Sequence, residues 1–260
     1  MIPAQFQYEA PASLTDAIAL LKANHDAKIL SGGMSLIPLM KFRLAQPTMV
    51  VDINNIEGLD YIREDGGWLK VGALTRESAL EDSEDVRNNY PLLYQTTQSV
   101  ADPIVRNRAT LAGNLAHADP AGDWPALVLA ADAGIEVQGK NGKRRIKATD
   151  FFTGLFSTAL QENEIIIAVR VPIPPEGTKA TYQKFAQPAS RFAIVGCAIV
   201  RFPDGKTNIA FTGISDNAFR ASDAEAALAG VIFLSDHYAS AEYRKHLAKV
   251  YLKKALKAVS

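Results

Sequence analysis

Lys28-Ile29-Leu30-Ser31-Gly32-Gly33-Met34-Ser35 carries three instructions in eight residues. The apolar run from Ala27 to Leu30 reads as a buried strand. Two glycines follow at once and turn the chain. A helical stretch from Leu36 to about Arg43 comes next, with Pro38 acceptable in its first turn. Met49-Val50-Val51-Asp52-Ile53 is the following strand. A strand, glycine turn, helix, strand unit predicts an α/β or α+β layer. Upstream, Ser13 is an N-cap for a helix with Leu14, Ala17, Ile18 and Leu21 on one face.

The glycine turn also has chemical content. Two residues without side chains let several backbone N–H groups converge where a phosphate is favoured. A plain strand-to-helix turn accounts for the same residues, and both readings stand at this point. The spacing is not G-x-G-x-x-G, so an ordinary Rossmann site is not predicted.

Further along, Trp68 to Gly72 reads as a strand, Thr75 opens a helix, and Pro91 to Val100 is helical. Ala101 to Asp123 is rich in Gly, Asn, Asp and Pro and weak in periodicity. A long irregular segment inside a compact domain points to function. Within it, Thr110-Leu111-Ala112-Gly113-Asn114 is small enough for close approach of a flat ligand, and Thr110 and Asn114 carry donors. Asp123 is placed to accept from a ligand hydroxyl, to N-cap the helix from Trp124 to Ala131, or both. His117, Asp119 and Asp123 are weak grounds for a metal, and no metal ligand is assigned. Gly134 to Asn141 nearly spells a P-loop, yet Asn141 stands where Ser or Thr is needed and the interior alternates like a strand. It is read as a decoy, with short strands at Ile135 to Gln138 and Arg145 to Lys147.

Ile165 to Val171 is a β-branched strand, and Pro172 to Gly177 reads as a linker. Thr181 to Phe185, Ala193 to Phe202 and Thr207 to Gly213 are strands, with Pro203-Asp204-Gly205-Lys206 as the turn between the last two. Ser222 and Glu225 form a capping box for a helix ending near Gly230. Ser240 caps a final helix whose buried side holds Tyr243, Leu247, Val250, Tyr251 and Leu256. The chain therefore divides near Pro174.

Composition removes several function classes. The 260 residues hold 28 basic and 28 acidic side chains, so no net field favours nucleic acid or an anionic membrane. No run of eighteen apolar residues predicts a membrane span. The start, from Met1 to Pro11, does not read as a signal peptide, so the expected compartment is the cytoplasm. Cys197, the single cysteine, lies in an apolar strand and reads as inert core. One thiol excludes an internal disulfide, a cysteine zinc site and a self-contained iron–sulfur cluster. No Ser–His–Asp ordering stands out. With sites to hold a ligand and no nucleophile, no catalytic side chain is assigned, as in a domain whose cofactor carries the chemistry.

Together these segments resemble the FAD-binding medium subunits of the xanthine dehydrogenase and carbon monoxide dehydrogenase family, the molybdenum hydroxylases. The likeness runs along nearly the whole chain. It includes an Ala-Gly-Gly-His-Ser-type loop at Ser31 to Ser35 and a Thr-Ile-Gly-Gly-Asn-type loop at Thr110 to Asn114. A Ser/Asp-Pro-x-x-Asp element follows at Asp119 to Asp123, and Asn163 to Ile166, Tyr182 to Phe185 and Ala241 to Arg244 echo later family elements. The resemblance implies an α+β fold: a PCMH-type, vanillyl-alcohol-oxidase-like FAD-binding domain over 1–174, divided near residue 57. A smaller flavoprotein C-terminal domain of antiparallel strands packed with helices would cover 175–260.

Carried over, it implies that Lys28, Ile29, Leu30, Ser31, Gly32, Gly33, Met34 and Ser35 wrap the FAD diphosphate and adjoining groups with Thr110, Leu111, Ala112, Gly113 and Asn114. Val100, Ala101, His117 and Asp119 join that site. Asp123 would bind a cofactor hydroxyl, Ile166 would pack on the cofactor, and Lys184 would contact the flavin end, near Phe192. Three departures stand out: Met34 for a histidine, Ala112 for a glycine, and Phe192 where some relatives carry a tyrosine. The first two keep every backbone donor. The connection from Gly230 to Asp236 is also shorter than usual.

The resemblance further implies a flavin subunit that takes electrons from two [2Fe–2S] clusters of a small iron–sulfur subunit. A large subunit would hold the molybdenum cofactor, and the assembly would be a dimer of heterotrimers. The rivals are a free-standing flavin oxidase or reductase and a non-redox nucleotide-binding module.

Overall fold

The structure, a computed structural model, describes residues 1–221 and 223–260. It begins with three short strands, β1 (Gln7–Glu9), β2 (Lys28–Leu30) and β3 (Met49–Asp52), paired in parallel in the order β1-β3-β2. Parallel strands need crossovers, and helices α1 (Leu14–Ala23) and α2 (Leu36–Lys41) lie in them. Ser13 caps α1 by accepting the Asp16 N–H, and Ala17, Ile18 and Leu21 are buried as the spacing predicts.

The second sheet is antiparallel, in the order β4 (Ile62–Asp65), β5 (Trp68–Gly72), β10 (Ile165–Pro172), β6 (Gly134–Gly139), β7 (Gly142–Lys147). Its middle strand, β10 (Ile165–Pro172), is buried from Ile165 to Val171, which explains its unbroken β-branched run. The near-P-loop is strand β6 and the start of its hairpin turn to β7: Gly134 pairs with Lys147 at the open end and Gly139 with Gly142 at the turn. Helices α3 (Glu77–Asp82), α4 (Glu84–Asn89) and α5 (Pro91–Ser99) follow β5. Thr75 does not open α3: its hydroxyl donates to the Tyr61 carbonyl, and the helix starts two residues later.

The supposedly irregular segment holds two short helices, α6 (Pro103–Arg106) and α7 (Leu111–His117), ahead of α8 (Trp124–Ala130). Each is under two turns, too short for a 3.6-residue period to register. A two-stranded ribbon, β8 (Phe152–Gly154) and β9 (Ser157–Thr158), precedes β10.

Residues from Lys179 onward build an antiparallel sheet, β11 (Lys179–Ala186), β12 (Ala193–Arg201), β13 (Thr207–Thr212) and β14 (Phe219–Ala221). Alternate residues face opposite cores. Tyr182, Ala198, Val200 and Ala210 join the core beneath α5 and α8. Val195, Cys197, Ile199, Ile209 and Phe211 pack on the long helix α9 (Ala241–Ala258). Cys197 is fully buried there, and burial pushes its thiol pKa up, as inert core requires.

Two expectations fail in this last part. Ala224 to Gly230 forms bends and turns in place of a helix, and Ser222 lies outside the described residues. Ser240 caps α9, but Tyr243 is exposed and Arg244 is the buried neighbour. Arg244 is held there by the Ile194 and Gly213 carbonyls, which it reaches at 2.8 and 2.6 Å, and by Asp236. No helix of the described residues is long and apolar enough to cross a membrane.

Candidate functional site

The two glycine-bearing turns, far apart in the chain, meet in space. Ser31 Oγ and Thr110 Oγ1 share a hydrogen bond of 3.1 Å. Arg76 ties the turns together from behind. Its guanidinium donates to the Arg108 carbonyl at 2.8 Å and to Asn54 Oδ1 at 2.5 Å, and Asn54 donates on to the Ser31 carbonyl at 3.0 Å. The approach is so close that a Cβ on Gly32 would lie 2.3 Å from the Arg108 oxygen. Only glycine fits there. Gly33, at φ +77°, has the left-handed geometry the turn needs.

These turns wall a cleft of about 800 Å³, within the usual range for a ligand site. Lys28, Ile29, Ser31, Gly32, Gly33, Met34 and Ser35 line it from the first turn, and Thr110, Ala112, Gly113 and Asn114 from the second. Val100, Ala101, His117, Asp119, Asp123, Ile166 and Phe192 also line it. Leu30, Leu111 and Lys184 do not. Leu111 is buried in the core, and Leu30 packs toward Gly33.

Lys184 lies one layer back, where its ammonium donates to the Ser99 carbonyl and to Asp123 Oδ2, each at 2.8 Å. Asp123 receives a second bond from the Tyr182 hydroxyl at 2.5 Å. Both its oxygens thus engage β11, and it makes no side-chain cap for α8. The capping role is corrected: a charged ammonium and a phenol outcompete a backbone N–H for a buried carboxylate. Burial pushes Asp123 up and Lys184 down, while their contact opposes both shifts. Thr110 does cap its helix, accepting the Gly113 N–H at 3.0 Å.

Several lining residues carried no sequence signal. Glu77, Phe156 and Arg191 all face the cleft. Ala101, Phe156, Asn163 and Arg191 hold positive φ of 37°, 49°, 67° and 61° and all four line it, a concentration of backbone strain in the cleft wall. Phe156 packs against His117 with ring centroids 5.2 Å apart. Burial lowers the His117 pKa and raises that of Asp119. Among the described residues, no group of three metal-ligating side chains comes together.

Two buried oxygens in the cleft wall, Asn114 Oδ1 and Glu77 Oε2, have no hydrogen-bond partner. Buried polar atoms are ordinarily satisfied. Unsatisfied oxygens beside two glycine-bearing turns fit a hydroxyl-bearing dinucleotide such as FAD, whose hydroxyls donate and whose diphosphate accepts backbone N–H groups.

Residues 4–174 match the model of the family described as the FAD binding domain in molybdopterin dehydrogenase. The chain is 41% identical to the carbon monoxide dehydrogenase medium chain of Hydrogenophaga pseudoflava, over 91% of this chain and 84% of that one. It is 34% identical to the nicotine 6-hydroxylase medium subunit of Paenarthrobacter nicotinovorans, over 96% and 95%. A solved structure of the Hydrogenophaga pseudoflava carbon monoxide dehydrogenase, lacking the Mo-pyranopterin moiety of its cofactor, superposes with a TM-score of 0.96. That match is 39% identical and covers 100% of this chain and 98% of the other.

Proposed function

The chain belongs to the family of FAD-binding domains in molybdopterin dehydrogenases, and from that premise we propose that it is the FAD-carrying subunit of a multi-subunit molybdenum-hydroxylase-type oxidoreductase. The observation that carries this reading is the hydroxyl contact joining two remote turns over one large cleft. Bound FAD supplies the redox chemistry, taking electrons from a partner's [2Fe–2S] clusters and passing them to an external acceptor. The protein's part is to hold and enclose it. Backbone donors of Ser31 to Ser35 and of Thr110 to Asn114 hold the diphosphate. Ile166 and Phe192 line the cleft, where Ile166 would pack on the cofactor and Phe192 would lie toward the flavin end. Lys184 acts through Asp123, whose carboxylate it and Tyr182 fix at the cleft wall.

The partners follow from the family: the clusters would sit in a small iron–sulfur subunit and the molybdenum cofactor in a large one, in a dimer of heterotrimers, and the single cysteine of this chain cannot ligate a cluster itself. The two named relatives differ in substrate, carbon monoxide against nicotine, at comparable similarity to this chain. Substrate choice therefore lies outside this subunit. The division into a domain over 1–174, itself split near residue 57, and a domain over 175–260 is part of the proposal. So is the cytoplasm, a reducing compartment suited to one unpaired buried thiol.

The test is to purify the full chain, record its visible spectrum, and mix it with a reduced iron–sulfur partner. A yellow protein whose flavin bleaches on mixing is expected. A chain that stays colourless after FAD addition supports the non-redox rival, and one that oxidises substrate unaided supports the free-standing oxidase.

A further inference from the structure

Glu77 opens α3 and exposes no surface. Its backbone N–H donates to the Ala109 carbonyl at 2.9 Å, which places it directly behind the second turn. Its Oε1 accepts the Trp124 indole N–H at 2.6 Å. Its Oε2 has no partner among the described residues, and Glu77 is part of the cleft wall. An ionised carboxyl with one bare oxygen is costly to bury, whereas a protonated one offers an O–H that needs only an acceptor.

We infer that Glu77 is a binding residue held as the neutral acid in the loaded protein, with its Oε2–H donating to an oxygen of the bound dinucleotide, so that FAD binding takes up a proton. The inference rests on the FAD reading above and deepens it. Its surroundings support it. Burial is the largest influence on Glu77 and lifts its pKa from 4.5 to about 7; the Trp124 bond opposes the rise, Asp123 on the α8 side adds to it, and Arg106 on α6 opposes it. The Lys184 ammonium on β11 is engaged with Asp123 and Ser99. His117 and Asp119, beyond α7, line the same cleft. An incoming diphosphate brings negative charge and displaces water, and both favour the uncharged acid.

The sign follows directly. Near pH 7 the empty protein is partly ionised at Glu77 and the loaded protein is not. Binding must therefore weaken as pH rises, by a limit of about tenfold per unit above 7. Titration of His117 adds its own linkage, but that part survives when Glu77 is replaced.

The experiment is calorimetric titration of FAD into the flavin-free full chain at several pH values, in buffers of different ionisation enthalpy. About half a proton is taken up per FAD at pH 7, rising toward one at pH 8.5. E77Q keeps a donor and loses the charge, so above pH 7 it is expected to lose the weakening of FAD binding that the wild type shows, leaving only the His117 part at lower pH. Buffer-independent heats in the wild-type protein overturn the inference, as does an E77Q variant with the wild-type pH profile. Should E77Q fail to fold, the buffer series repeated in H117N decides: proton uptake above pH 7 that persists there supports Glu77 as its source, and its loss overturns the inference. Absence of FAD binding at every pH overturns the FAD reading itself, whereas binding without proton uptake overturns only the role of Glu77.

Discussion

Single atoms decide the cleft. Gly32 touches the other turn with its Cα, and an added methyl group would meet the Arg108 oxygen at 2.3 Å and the Ala109 Cα at 2.8 Å. Both are backbone atoms and cannot swing aside. Gly32→Ala is expected to destabilise the protein by about 1–3 kcal/mol through overpacking, and to weaken FAD binding at least about tenfold as the turns part. Urea melts and a fluorescence titration of FAD measure the two effects; unchanged values in both would contradict this picture. In the sequence these glycines read equally as a phosphate turn or a plain strand-to-helix turn, and the close approach of Gly32 to Arg108 comes from a segment 76 residues away that no local pattern shows. It did not show Glu77, an ordinary acidic residue at a helix start until Trp124 and the cleft close around it. Asp123 was legible as important and misread in detail, since Tyr182 and Lys184 lie 59 and 61 residues away.

At the scale of elements, legibility followed length and capping. Helix α1, strand β10 and helix α9 were readable because their apolar spacing runs long enough to show a period. Helices α6 and α7 were not, having four and seven residues. Near Gly230 the chain carries a strong capping pattern and still forms turns. Local propensity there is a weak prior that packing overrides. At the head of α9 the signal and the structure agree, with Ser240 Oγ accepting the Tyr243 N–H at 3.2 Å. Ser240→Ala is expected to lower stability by about 1 kcal/mol and to leave FAD affinity unchanged, because α9 lies across the C-terminal sheet from the α8 side. A urea melt paired with an FAD titration checks both, and a loss of affinity would mean that α9 supports the cleft more directly than its position implies.

Across the whole molecule, the C-terminal sheet is a working part of the site. Its β11 reaches over to Asp123 through Tyr182 and Lys184, and Ser190, Arg191 and Phe192, before β12, line the cleft. The Lys184–Asp123 pair is almost dry, at 7% and 6% side-chain exposure. Breaking one partner of such a pair leaves an uncompensated charge, so the start of α8 and the C-terminal sheet are tied together at the place where the cofactor is proposed to sit. The most direct measurement is a crystal structure of the yellow, FAD-loaded chain. The account predicts the diphosphate between the two turns, within hydrogen-bond distance of backbone N–H groups from both Ser31 to Ser35 and Thr110 to Asn114. A diphosphate held by one turn alone, or found outside this cleft, would contradict it.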